Sequence, residues 1–156
     1  MKSCKVPYYL IWYCPILPYL LIARNVQIIF LNKLKKLKIP VYCLNSNNSN
    51  KSYDKNDILD GENGIIYMSP EYFMTCGHFI NDLSEQNRIA LVAVDESHCI
   101  STWGDFRPEY KQLDNIKKWT DAPVLALTAT ATPKMISDIE KTLKLDKPKL
   151  VMSSFY

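Results

Sequence analysis

The chain has 156 residues, of which 47% are hydrophobic and 22% charged, which is the size and composition of one globular domain. Such a composition excludes collagen-like, disordered and heptad-repeat classes. The five cysteines include no C-x-x-C pair and the two histidines lie far apart in sequence, so no zinc site is predicted. We expect one domain, residues 1–156, in a reducing intracellular compartment, with nucleus and cytoplasm not distinguished.

The formal net charge of +3 is unevenly distributed along the chain. Residues 1–44 contain seven lysines and arginines and no acidic residue, which leaves twelve basic and sixteen acidic residues in 45–156. A basic segment can bind nucleic-acid phosphates. The lysines at positions 33, 35, 36 and 38 also fit the solvated side of an amphipathic helix, and we favour that interpretation.

Residues 6–23 form an uncharged run whose length is near the lower limit for a membrane-spanning helix. Three prolines would break such a helix, and the tyrosines are spread along the run rather than gathered at its two ends. A buried strand followed by a loop and a helix is the preferred interpretation. We therefore expect no membrane partner, and a membrane anchor is the minority alternative.

Short apolar runs bounded by turn residues predict the strands, and helical spacing with start and stop signals predicts the helices. In chain order these are a strand at 8–14, a helix at 26–37, a strand at 41–44, a surface loop at 45–57, a strand at 64–68, helical residues at 71–84 interrupted near Gly77, a strand at 89–94, a helix at 108–119, a strand at 123–127 and a helix at 133–145. The strand at 89–94 is apolar enough to be buried on both faces, and the strand at 123–127 is predicted as another buried strand. This alternation implies an α/β fold with an open parallel sheet and helices on both faces.

Two adjacent carboxylates, Asp95 and Glu96, follow directly after the most apolar predicted strand. In open parallel sheets, ligands bind at the carboxyl ends of the strands. One carboxylate there can hold Mg²⁺ beside the phosphates of a nucleotide, and its neighbour can orient or deprotonate the attacking water. A solvated loop or a helix cap is the alternative for an isolated acidic pair.

Residues 94–110, around these carboxylates, read Val-Asp-Glu-Ser-His-Cys-Ile-Ser-Thr-Trp-Gly-Asp-Phe-Arg-Pro-Glu-Tyr. This string closely resembles the RecQ family of superfamily-two DNA helicases. By this resemblance, 95–98 is the Walker B or D-E-x-H box, 103–110 is the aromatic-rich loop of the family, 127–132 is motif III, 14–20 is motif Ia, 38–45 is the segment after it, 67–71 is motif Ib, and 153–156 begins the connection to the second motor domain. The resemblance covers roughly residues 8–156.

The resemblance implies a RecA-like fold of the P-loop NTPase type and an ATP-dependent helicase that unwinds DNA from 3′ to 5′. Asp95 would hold Mg²⁺ through water, Glu96 would activate the water that attacks the γ-phosphate of ATP, and His98 would link the nucleotide site to motif III. Thr128 and Thr130 would couple hydrolysis to strand movement.

The aromatic-rich loop supplies the candidate contacts to single-stranded DNA or another nucleic acid. The resemblance assigns this role to Trp103, Phe106 and Arg107, and aromatic faces that stack on bases and an arginine that pairs with phosphate give it a physical basis. A loop packed into the core is the alternative for the two aromatic residues. The family loop reads Trp-Gly-x-Asp-Phe-Arg, whereas here Gly104 is followed directly by Asp105. The loop is one residue shorter, which bears on how ATP hydrolysis is coupled to DNA.

Two further departures from the family pattern concern the nucleotide site. Ser97 stands where the box usually has Ala, a small change. The sequence contains no Gly-Lys dipeptide, so the G-x-x-x-x-G-K-[ST] loop that wraps the phosphates is not within it. We expect the latter two-thirds of a first RecA-like domain, with an apolar sheet edge exposed and the remaining motor parts lost or supplied by another chain.

Three functions remain open on the sequence alone. The first is an ATP-dependent RecQ-type DNA helicase that is present here as a truncated domain. The second, which we favour for the isolated chain, is a non-catalytic nucleic-acid-binding or interaction remnant of a helicase. The third, ranked last, is an unrelated doubly wound protein in which the Asp-Glu-Ser-His string is accidental. Magnesium-dependent nucleotide binding would separate the first two.

Overall fold

The computed structural model describes residues 8–12, 32–34, 36–44, 51–61, 64–102 and 108–152. In these ranges the strands are β1 (Tyr8–Trp12), β2 (Val41–Leu44), β3 (Ile65–Met68), β4 (Ile89–Val94) and β5 (Val124–Ala126). The helices are α1 (Lys51–Asp60), α2 (Pro70–Met74), α3 (Gly77–Glu85), α4 (Cys99–Thr102), α5 (Pro108–Lys111), α6 (Ile116–Trp119) and α7 (Pro133–Thr142), with a 3-10 turn at Gln112–Asn115. Residues 32–34 and 36 are also helical.

The five strands form one parallel sheet in the order β2-β3-β1-β4-β5. Most consecutive strands are separated by helical segments, and strand order does not follow chain order, so the connections cross over the sheet. The predicted parallel α/β fold is confirmed. All strands run in one direction, and their carboxyl ends therefore lie at one edge of the sheet.

One face of the sheet carries the main core, because side chains alternate between the two faces along each strand. Ile66 and Met68 of β3 are buried, and the register through β1 places them on the same face as the buried Val92 and Val94 of β4. Apolar side chains from α1 to α7 pack with these strand residues in one cluster. Tyr67 points to the opposite face and is partly exposed.

The structure overturns the predicted surface loop at 45–57 in its second half. Residues 51–60 form α1, and Ile58 is fully buried in the core cluster. The local sequence is polar and gives little helical signal, so the helix depends on contacts made from elsewhere in the chain. Residues 45–50 lie outside the described ranges.

The predicted burial of β5 is wrong. Leu125 and, just beyond the strand, Leu127 each expose 43% of their surface. The physical reason is position, since β5 is the last strand in the sheet order and pairs only with β4 among the described strands. In β4, Ala90 and Leu91 are partly exposed as well, so that strand is not buried along its whole length.

The remaining predicted elements agree with the structure within a few residues. The strands at 8–14, 41–44, 64–68 and 89–94, the interruption near Gly77 and the helical residues at 108–119 are confirmed, and most of the predicted helix at 26–37 lies outside the described residues. In the uncharged run at 6–23, residues 8–12 are β1. No helix in the described part of the chain is long and apolar enough to span a membrane.

A buried arginine joins α1 to the beginning of β4. Arg88 is completely buried, and its guanidinium donates hydrogen bonds to the backbone carbonyls of Ile58 (2.8 Å), Leu59 (2.6 Å) and Gly61 (2.7 Å). The last carbonyls of a helix have no partner within the helix, and a positive charge there is favoured by the helix dipole. Arg88 therefore caps the end of α1.

We expect Arg88→Met to lower the free energy of unfolding by about 3 kcal/mol, because it leaves one buried and two partly buried carbonyls without charged donors. Arg88→Lys keeps the charge but not the planar fork, and its loss should be smaller. Chemical denaturation measures both values, and Lys118→Met, at an exposed position, serves as the control. Equal stability of Arg88→Met and this control would contradict the capping role.

Candidate active site

The site lies at the carboxyl edge of the sheet, where β4 and β5 end side by side. The hydrogen-bond ladder between them continues beyond the strands, because the Leu127 N–H donates to the Val94 carbonyl at 2.8 Å. The Leu127 carbonyl then accepts the Ser97 N–H at 2.9 Å. These two bonds bring the Asp95 to His98 turn against the segment that begins at Thr128.

The ladder skips one residue at Glu96. In a regular parallel ladder the donors from β4 are every second residue, and Val92 donates to the Pro123 carbonyl at 2.9 Å. The same series would make residue 96 the donor to Leu127, yet the donor is Ser97. Glu96 is therefore an extra residue in the manner of a β-bulge, and its side chain is turned outward, 48% exposed.

The backbone at Glu96 is in the left-handed region, with φ of 48°. This conformation is unfavourable for a residue with a side chain, and such strain is found where the surrounding structure enforces it. The Glu96 N–H donates to Oδ1 of Asp95 at 2.9 Å, and the Glu96 carbonyl accepts the Cys99 N–H at 2.9 Å. The turn is thus held from both sides of the strained residue.

His98 contacts both the candidate base and motif III. Its Nδ1 is 3.2 Å from Oε2 of Glu96 and 3.0 Å from Oγ1 of Thr128. The Thr128 hydroxyl donates its one proton to the Thr130 carbonyl at 2.9 Å, so towards His98 it can only accept. A carboxylate is also only an acceptor. Both partners therefore assign the proton to Nδ1, leaving Nε2 beside Sγ of Cys99 at 3.8 Å.

The two threonines of motif III have different positions. The side chain of Thr128 is partly buried and contacts His98, whereas the exposed Thr130 contributes its backbone, accepting from the Thr128 hydroxyl and donating its N–H to the same oxygen at 3.2 Å. The Thr132 hydroxyl accepts the Met135 N–H at 3.3 Å and so begins α7. Of the two threonines, Thr128 is the one whose side chain contacts the box.

Asp95 has the features of a carboxylate that holds a hydrated cation. It is partly exposed at the end of β4, and in the described part of the chain its Oδ2 accepts no hydrogen bond. Within the same ranges no three His, Cys, Asp or Glu side chains converge on one metal-sized site. Mg²⁺ fits such a place because it keeps several waters and uses one or two carboxylates together with phosphate oxygens.

The predicted nucleic-acid contacts Trp103, Phe106 and Arg107 lie outside the described residues. The segment leading to them is α4, whose Ser101 hydroxyl donates to Oδ2 of Asp138 in α7 at 2.6 Å. The helix that follows the box is thereby tied to the helix that follows motif III.

Sequence reasoning missed the contribution of Ser97. Its side chain is fully buried, and its hydroxyl donates to the Leu127 carbonyl at 3.0 Å, in addition to the bond from its own N–H. The only signal was that a serine replaces the usual alanine of the box, and this was treated as a small change. The resemblance had named the residues on either side of this contact but not the contact itself.

The family model described as DEAD/DEAH box helicase matches residues 14–139. A protein of Acanthamoeba polyphaga mimivirus, provisionally described as an ATP-dependent RNA helicase, is 40% identical over 124 residues, 78% of this chain and 23% of its own. The ATP-dependent DNA helicases RecQ of Pasteurella multocida and Bacillus subtilis are 43% and 39% identical, over 65% and 78% of this chain. This chain spans only 16% and 21% of their lengths.

Tyr67 gives the stability of this sheet edge a pH dependence. Burial raises the pKa of Tyr67 above its usual value of 10.0, and the nearby Cys43 and Asp95 side chains raise it further. In the unfolded chain a tyrosine loses its proton near pH 10, while folded Tyr67 keeps it. The folded state then binds more protons, so stability falls as the pH rises above about 10.

We expect the free energy of unfolding to decrease more steeply between about pH 9 and pH 11 in the unaltered protein than in Tyr67→Phe. Urea denaturation at several pH values measures both slopes. Because all other ionisable groups are shared, identical slopes would show that the environment of Tyr67 does not favour its neutral form.

Proposed function

The chain belongs to the DEAD/DEAH box helicase family, and we propose that it is the part of a RecQ-type ATP-dependent DNA helicase motor that activates water for ATP hydrolysis and couples hydrolysis to bound single-stranded DNA. The observation that carries this proposal is the contact of one His98 nitrogen with both Glu96 and Thr128. That contact joins the candidate base to motif III within one hydrogen-bond network.

Glu96 is the general base of the proposed reaction. Its carboxylate is accessible on the outward-turned bulge, where it can accept a proton from the water that attacks the γ-phosphate. His98 orients that carboxylate by donating from Nδ1. Asp95, one residue earlier, would hold Mg²⁺ through water, and the bound cation would supply positive charge to the phosphates.

Thr128 carries the link from the nucleotide to the rest of the motor. Its hydroxyl accepts from His98 and is fixed by two contacts to the Thr130 backbone, so a shift of His98 acts on the whole segment ahead of α7. The aromatic-rich loop with Trp103, Phe106 and Arg107 follows α4, which is tied to α7 through Ser101. In this proposal, α4 and the segment ahead of α7 are the two routes from the nucleotide to the rest of the motor.

The nucleic acid in this proposal is single-stranded DNA, and two similar proteins support it by their names as DNA helicases. RNA is the competing substrate, because the mimivirus relative is described as an RNA helicase. Stacking on aromatic side chains and pairing of arginine with phosphate serve both polymers. Competition between unlabelled DNA and RNA oligonucleotides of equal length and sequence decides between them.

The decisive test places this segment in a complete motor. Residues 14–139 replace the matching segment of Bacillus subtilis RecQ, and ATP hydrolysis is measured with and without single-stranded DNA. We expect DNA-stimulated hydrolysis that Glu96→Gln lowers by about 100-fold or more, since the amide cannot accept the proton.

The isolated chain with Mg²⁺ is measured beside the chimaera, again with Glu96→Gln as the blank. Turnover by the chimaera equal to that of its Glu96→Gln variant, in folded protein, would contradict the proposal. It would leave the non-catalytic binding protein as the better description.

The two threonines should differ when each is changed to valine in the same chimaera. Thr128→Val removes the acceptor for His98, and we expect the DNA-stimulated rate to fall roughly tenfold, as for the loss of one hydrogen bond. Thr130→Val keeps the backbone groups that hold Thr128 and should change the rate by less than about twofold. Equal effects of the two variants would mean that coupling does not pass through the His98 contact.

A further inference from the structure

We propose that Ser97 is a positioning residue whose hydroxyl holds the bulge at Glu96 and thereby fixes His98 opposite Thr128. This inference rests on the proposed function only for its effect on turnover. The structural part concerns the hydrogen-bond network of the unliganded chain and stands or falls separately.

The Leu127 carbonyl is held by two donors from one residue. The Ser97 N–H lies 2.9 Å from it and the Ser97 hydroxyl 3.0 Å, and both donors are enclosed because Ser97 is completely buried. A carbonyl oxygen has two lone pairs, so both bonds form together. An alanine at this position, which the RecQ pattern has, would leave the N–H as the only donor.

The second bond acts at the point where the turn is strained. Glu96 is held in a left-handed conformation, and a strained residue keeps it only when its neighbours over-determine it. Ser97 is the first residue to rejoin the ladder after Glu96 has been skipped. Its two bonds to Leu127 resist the relaxation in which Glu96 would take up the regular ladder position and withdraw its carboxylate.

The same two bonds position the next residue on each segment. Ser97 is followed by His98, and Leu127 by Thr128, so the bonds between Ser97 and Leu127 fix the distance between His98 and Thr128. Loss of the hydroxyl lets the two segments shift while the sheet itself remains paired. The consequence falls on the His98 to Thr128 contact rather than on the core.

The imidazole tautomer of His98 reports this shift directly. Long-range ¹H–¹⁵N spectra of the 156-residue chain distinguish a proton on Nδ1 from one on Nε2. In the unaltered chain we expect the Nδ1–H form that Glu96 and Thr128 both require. In Ser97→Ala the Nε2–H population should rise about fivefold, the ratio that the loss of one neutral hydrogen bond allows.

Ser84→Ala is the matched control, because the Ser84 hydroxyl also bonds across two elements, to Oγ1 of Thr120 at 3.0 Å, but far from the box. Ser84→Ala should lower the free energy of unfolding by an amount similar to Ser97→Ala and leave the His98 spectrum unchanged. Ser97→Cys loses no side-chain volume but has a weaker donor, and it should shift the tautomers in the same direction as Ser97→Ala, which separates loss of the hydrogen bond from loss of volume.

An unchanged His98 spectrum in both Ser97 variants, or the same change in Ser84→Ala, would overturn the inference. In the chimaera, Ser97→Ala should lower kcat several-fold with little change in KM for ATP, since Ser97 is buried behind the turn. A shifted tautomer in a chimaera that hydrolyses no ATP would refute the proposed function and keep the positioning role. Normal hydrolysis by a Ser97→Ala chimaera whose His98 tautomer is unshifted would refute the positioning role and keep the proposed function.

Discussion

The pairing of β4 with β5 is the constraint on which the site depends. The ladder continues past both strands, skips Glu96 and resumes at Ser97, and this one irregularity separates the roles of four consecutive residues. Asp95 stays at the strand end, Glu96 turns towards solvent, Ser97 points into the protein, and His98 returns to face Thr128. A regular ladder would have placed Glu96 in the sheet and lost the exposed carboxylate.

Much of the fold could be predicted from the sequence, because an apolar run such as that of β4 is a local signal that needs no knowledge of its neighbours. The signal fails where a structure depends on distant residues. The helix α1 has a polar sequence. Its last carbonyls, including that of the buried Ile58, are capped by Arg88, which lies about thirty positions away in the chain. The exposure of Leu125 likewise depends on the place of β5 in the sheet order, which an apolar run does not encode.

The site divides in the same way between residue type and geometry. The resemblance supplied Asp95, Glu96, His98 and Thr128, because it assigns these residue types in this order to the predicted nucleotide site and motif III. It could not supply the left-handed backbone at Glu96, because glutamate has no preference for that conformation and the strain is imposed by the ladder. The Ser97 contact depends on the same ladder, so a substitution that looked minor in the sequence occupies a central place in the structure.

The direction of the hydrogen bonds gives the network a defined response to catalysis. The Thr128 hydroxyl is committed to the Thr130 carbonyl, so His98 has to donate from Nδ1, and its proton is shared between Thr128 and the Glu96 carboxylate. When Glu96 accepts a proton from water in the proposed reaction, it becomes a weaker acceptor, because a charged acceptor forms the stronger hydrogen bond. The Nδ1–H then donates mainly to Thr128, so the hydrogen bond between His98 and motif III strengthens while the one to Glu96 weakens. Protonation of the base is thus converted into a tighter connection between the box and the segment ahead of α7, without any change in the charge of His98.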